Sequence, residues 1–122
     1  SRPGSQPRSC IAAGNGAEPA RVMIDVDLAH KALAHPFRRN VLRWLKAPDT
    51  SLADAPRLRS QHGVPLSSIV ARSGLSQSTV SAHIALLCAA GLLVATQVGQ
   101  WRFVARNETA IAAFIARIDS EL

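Results

Sequence analysis

The chain has 122 residues, 48% of them hydrophobic and 18% charged, which suffices for one ordinary core and leaves no room for a second domain. Fourteen Lys and Arg against eight Asp and Glu give a net charge of +6 at pH 7, which favours a polyanionic partner such as nucleic acid or an anionic membrane surface. Twelve of the fourteen cations are Arg, the residue that forms paired bonds to phosphate and guanine, although a GC-rich genome produces the same bias. No apolar run approaches the roughly 20 residues of a membrane-spanning helix, and the polar start is not built like a signal peptide, so a soluble cytoplasmic protein is expected, with no membrane partner.

Residues 1–22 are rich in Ser, Pro, Gly and Ala without apolar period and read as a disordered or vector-derived tail, with Met23 a candidate native start; residues 23–122 form the domain. Val26, Ala29 and Leu33 recur at spacings of three and four and predict a first helix, which stops at His35 because Pro36 disfavours helix in the residue before it. Pro36 opens a second helix with a buried face of Phe37, Val41, Leu42 and Leu45, and Pro48 ends it. The polar stretch 47–63 exceeds the roughly two to eight residues usual between packed helices; it reads as a loop insertion, disordered or carrying an effector or partner contact.

Pro65 opens a short third helix with Leu66, Ile69 and Val70 on one face. Gly74 suits a left-handed cap, Leu75 fills the turn, and Ser76 caps a fourth helix whose apolar residues are Val80, Ile84, Leu87 and Cys88, ended by Gly91. The period then falls to about two, so residues 92–96 and 101–105 read as strands around a turn at Val98, Gly99 and Gln100. Asn107 caps a fifth helix, with Glu108 in its first turn and an apolar stripe of Ile111, Phe114, Ile115, Ile118 and Leu122.

Short helix, Gly-containing turn, polar-faced helix, Gly stop and hairpin are in the order of a winged helix-turn-helix. The expected fold is mainly α, five helices with a two-stranded β-hairpin wing after the recognition helix. Ser76, Gln77, Ser78, Thr79, Ser81 and His83 give the fourth helix a face of small hydrogen-bonding side chains, suited to a major groove about 12 Å wide. There Gln pairs with adenine, and Ser or Thr with a base or a phosphate. Such a face alone fits a merely solvated helix equally well; the capped turn before it and the amphipathic hairpin after it favour DNA. Arg102, with Gln100 at the turn, is placed to reach a phosphate or the minor groove, while Trp101 and Phe103 alternate oppositely and are expected to pack inward.

Three stretches carry a family resemblance: Ala32-Leu-Ala-His-Pro-Phe-Arg-Arg-Asn-Val-Leu42, Gly74-Leu-Ser-Gln-Ser-Thr-Val-Ser-Ala-His-Ile84, and Leu86-Leu-Cys-Ala-Ala-Gly-Leu-Leu93 with the wing behind it. From Asp25 to the end, the chain resembles the arsenic-repressor (ArsR) type of bacterial winged-helix regulators. Its Ser-Gln-Ser-Thr-Val-Ser run, the most specific part, coincides with that family's recognition helix. The resemblance implies a homodimer joined through the first and last helices, bound to a palindromic operator in double-stranded DNA, which represses transcription until an effector, unknown here, releases it. Val26, Ala29 and Leu33 together with Ile111, Phe114, Ile115 and Ile118 offer more apolar surface than one small winged helix must cover, which agrees with a dimer; the other reading is that the last helix packs back on its own core. Ala82 stands where family members commonly carry Lys or Arg, so one phosphate or base contact is missing. Arg38, Arg39, Arg43 and Lys46 can compensate, but charges at helical spacing more often form a solvated face.

Many members of this family sense metals through Cys on the third helix or His and acidic residues on the fifth. Here the third helix has no Cys and the fifth offers Glu108, Asp119 and Glu121 without His, so no metal site and no cofactor is expected. His30 and His35 should diverge around their helix, and His62 lies in the insertion. Cys10 in the tail and Cys88, read as a small core residue, are no disulfide framework; they are the pair available for a thiol or redox switch, a minor alternative. Without a Gly-rich phosphate loop, a Ser/His/Asp order on a nucleophile turn or a carboxylate pair in a pocket-forming element, no enzyme is expected. The competing class is a winged helix used as a protein-interaction module, whose mark would be an apolar or acidic reading face.

Overall fold

In the computed structural model of the chain, residues 24–52 and 61–122 are described; the expected tail over 1–22, Cys10 within it, Met23 and the middle of the 47–63 insertion lie outside the described residues. Asp25 begins the first helix, α1 (Val26–Leu33), by accepting the Leu28 N–H at 3.0 Å, and Asp27 complements the dipole in the first turn. His35 is extended, as a residue before proline is driven to be, and its Nδ1 accepts the Phe37 N–H at 3.1 Å at the start of α2 (Pro36–Lys46). Two cations of α2 turn back onto α1: Arg38 donates to the Lys31 and Ala32 carbonyls, each at 3.3 Å, and Arg39 to the Leu33 carbonyl at 2.6 Å. The Lys31 carbonyl also accepts the Ala34 N–H, and these bonds to the last turn of α1 make half-buried Arg38 and exposed Arg39 joints between the two helices.

The polar stretch after α2 begins with ordered structure. Pro48 opens a one-turn helix, α3 (Pro48–Ser51), and Leu52 behind it is buried. Val64–Pro65 is also a strand, β1: Pro65, extended, is the N-cap of the helix that starts at Leu66 as expected, and Val64 lies opposite Val104 in antiparallel register. Proline, lacking an N–H, is acceptable there because β1 is an edge. Then follow α4 (Leu66–Ser73), α5 (Gln77–Ala89), β2 (Leu93–Val98), β3 (Trp101–Arg106) and α6 (Glu108–Glu121). The described residues thus hold six helices and a three-stranded sheet of order β1-β3-β2, one helix and one strand more than expected, with the hairpin wing where expected.

One core holds these elements. Ala29 and Ala32 of α1, Val41, Trp44 and Leu45 of α2, Ile69 of α4, Val80, Ile84 and Leu87 of α5, Leu93 and Val104 of the sheet and Phe114 of α6 are buried together. Removing this much apolar surface from water is the main stabilising contribution, about 25 cal/mol per Å². Trp44, outside the expected face of α2, is buried with the Arg72 guanidinium 4.8 Å over its ring. At the end of α5 the Gly91 N–H reaches the Cys88 carbonyl at 2.9 Å and the Leu92 N–H the Leu87 carbonyl at 3.0 Å, the paired bonds that stop a helix. Arg106 donates to the Leu42 carbonyl at 3.1 Å and pairs with Glu108 at 2.8 Å, tying the wing's last residue to α2 and to the first turn of α6. No helix among the described residues is long and apolar enough to cross a membrane.

Candidate nucleic-acid interface

The site is built on the joint between α4 and α5. Gly74 has φ +73, a left-handed conformation that a β-carbon would strain, and its N–H closes on the Val70 carbonyl. Leu75 does not fill the turn; it is exposed. The turn is held instead by Ser73, whose Oγ donates to the Val70 carbonyl at 2.8 Å and accepts the Leu75 N–H at 2.9 Å. Ser76 is extended and caps α5 by accepting the Thr79 N–H at 3.2 Å, while its own hydroxyl lies 2.9 Å from Thr79 Oγ1. With the helix started there, Val80, Ile84 and Leu87 fall inward against the core and the opposite side faces out.

On that outer side Gln77, Ser78 and Thr79 are exposed and Ser81 is half-buried. Register in the hairpin sets Arg102 opposite Gln97, and Arg102 comes to the same place: an open concavity is lined by Gln77, Ser78, Ser81, Ala82, Ala85 and Arg102. Helix and wing therefore present a single surface in which hydroxyls and one carboxamide stand beside a guanidinium. Ser76 and Thr79 flank it, engaged in the cap, and Gln100 is exposed at the tip of the hairpin.

His83 lies elsewhere. It stands three residues after Val80 and four before Leu87, the spacing of the inward side, and so turns toward α2. Its Nδ1 accepts Arg38 Nε at 3.1 Å, and its ring lies 4.7 Å from that of His35 and 4.9 Å from that of Phe37. Burial, and after it the neighbouring His35 and Arg38, hold the His83 imidazole below its ordinary pKa; accepting from a guanidinium in any case requires an unprotonated Nδ1.

Trp101 also departs from expectation, at 45% exposed, while Phe103 is buried as expected. The Val98 and Trp101 pair is the last before the turn, and both are partly exposed; Trp101 stacks partially on Phe103. Two alanines also line the concavity: Ala82, which the sequence marks only as a missing contact, and Ala85, which it does not mark; both follow Ser78 at helical spacing, the available signal.

Of the residues expected to join two copies, Ala29 is 0% and Phe114 9% exposed, already covered by the chain's own core. Val26, Leu33, Ile111 and Ile118 are half-buried, and Ile115 is 61% exposed. Ile111, Ile115, Ile118 and the exposed Leu122 share one side of α6, and α1, which touches α6, adds the exposed Leu28. Cys88 is half-buried against the core. Among the described residues no three His, Cys, Asp or Glu side chains gather as metal ligands would.

No protein-family model matches the chain. It is similar to the uncharacterized HTH-type transcriptional regulator YbzH of Bacillus subtilis (strain 168), with 32% identity over 93 residues, 75% of this chain and 93% of that protein.

Proposed function

The chain belongs to the helix-turn-helix transcriptional regulators, and from that premise we propose that it is a sequence-specific repressor of the ArsR type, binding a palindromic operator in double-stranded DNA as a homodimer. The observation that carries this reading is the surface shared by Gln77, Ser78 and Ser81 of α5 with Arg102 of the wing. The N-terminal turn of α5 enters the major groove, where Gln77 reads a base edge and the serines serve bases or phosphates. Arg102, beside it, neutralises a phosphate, and the net charge of +6 supplies the sequence-independent attraction.

The homodimer forms on α1 and α6, whose Leu28, Ile115 and Leu122 are exposed and apolar. One reading helix covers only a few base pairs; a two-fold pair reads half-sites about one turn of DNA apart. An effector other than the family's usual metals releases the operator, without enzymatic chemistry.

The test is binding to genomic fragments, the chain's own promoter included, across a salt series, with Gln77→Ala and Arg102→Ala beside the natural protein. Selective binding that weakens steeply with salt is expected; Gln77→Ala relaxes selectivity, and Arg102→Ala lowers the salt slope by about one. Equally weak binding to every fragment, unmoved by either substitution, would overturn the reading in favour of a protein-docking module.

A further inference from the structure

What α5 can read follows from what it carries. From Gln77 to Ala89 it has no Lys, Arg, Asp or Glu, and its imidazole is engaged with Arg38. Guanine shows the major groove two acceptors, which paired cationic donors satisfy best, and cytosine shows a donor that wants a carboxylate. Neither partner is on this helix. Gln77 has the carboxamide that pairs with adenine N6 and N7, and Ala82 and Ala85 present methyl groups in the same concavity. The thymine C5-methyl is the apolar group that the major groove offers to such a side chain.

The dimensions agree. Gln77 to Ala85 spans about 12 Å at 1.5 Å per residue, the length of three to four base pairs. Ala82 and Ala85 are about 4.5 Å apart along the axis, close to one base step. Alanine is also short enough for the backbone of α5 to approach the floor of the groove, which a Lys or Arg at position 82 would hold away. Arg102 reaches this surface from the wing and takes a phosphate, which carries no sequence information.

We propose that the half-site read by α5 is an A·T core in which Gln77 pairs with an adenine and the methyl groups of two neighbouring thymines seat against Ala82 and Ala85. This rests on the DNA reading above and specifies what that surface selects. Ala82, in place of a cation, is then a specificity residue and not a lost contact.

The experiment selects duplexes from a random library with the full chain, then replaces each thymine of the selected half-site by deoxyuridine, which removes the methyl group alone. An enriched A·T core is expected, with a loss of about fourfold in affinity at each of two adjacent positions, the worth of one buried methyl. Ala82→Gly and Ala85→Gly should each abolish the thymine-over-deoxyuridine preference at its own position. That ratio is measured within one variant, so a loss of helix stability cancels from it. A G·C core, or indifference to deoxyuridine throughout, overturns the inference while leaving a DNA-binding protein. If no duplex is enriched, the reading of the protein as sequence-specific fails first, and this inference with it.

Discussion

Alanine in place of Gly63 should strain the join between β1 and the wing and destabilise the fold. Gly63 approaches β3 so closely that a β-carbon would collide with the Val104 carbonyl oxygen and stand 2.7 Å from its carbon and 2.9 Å from Ala105 Cβ. These are backbone atoms and a β-carbon, with no side-chain torsion to relieve the overlap. The position also has φ +112, which an L side chain rarely adopts. A strained backbone conformation costs about 1–3 kcal/mol and forcing packed neighbours apart about 1–3 more, against a total stability of about 5–15 kcal/mol. At a loss of about 4 kcal/mol and a slope of about 2 kcal/mol per M, the urea midpoint falls by about 2 M with the slope unchanged. Gly74→Ala is the control, because φ there is +73 but a β-carbon meets nothing within 4 Å. It should cost only the conformational part, about 1–2 kcal/mol. If Gly63→Ala costs no more than Gly74→Ala, β1 is not held against β3 as described.

Ser76→Ala removes the cap of α5 and should cost about 1 kcal/mol in thermal or urea unfolding. Ser76→Asp keeps a capping oxygen and the stability but, on the proposed DNA-bound arrangement, sets a carboxylate beside the phosphates, so its DNA affinity alone should fall. Ile115→Glu, at a position the chain itself leaves exposed, should leave the fold within about 0.5 kcal/mol and yield a monomer by sedimentation; a dimer of unchanged strength would refute the α1 and α6 interface. His83 binds its proton less readily in the folded chain than in the unfolded one, so its contribution is intact above pH 6.5 and stability declines as pH falls below it. Urea unfolding across that window should show the decline in the natural protein and lose it in His83→Gln; an equal slope in both would assign it to other groups.

Local punctuation made most of the fold legible. Asp25, Ser76 and Asn107 accept backbone N–H groups of the turns they start, and Pro36 and Gly74 sit where proline's missing donor and glycine's left-handed freedom are needed. Strand β1 was hidden because two residues, one a proline, show no period; it exists through pairing with β3, some forty positions away. The chemistry of His83 suggests the outer face, but its spacing from Val80 and Leu87 points inward. Alternation puts Trp101 on the side of Phe103 but cannot say how much of that side is covered next to the turn, where Trp101 is 45% exposed. Ala29 and Phe114 illustrate a further limit: an apolar stripe shows that a helix face is to be covered, not whether the cover belongs to the same copy.

The chain contains two tryptophans and no tyrosine, and the structure sets the two indoles in opposite surroundings. Trp44, 9% exposed, sits under a guanidinium in the core; Trp101, 45% exposed, stands in water at the wing. Their fluorescence consequently separates two events without any attached dye. Unfolding shifts Trp44 emission to the red, whereas a ligand closing over the wing shifts Trp101 to the blue. Phenylalanine at position 44 would leave Trp101 as a single emitter, an optical gauge of the wing built into the natural sequence.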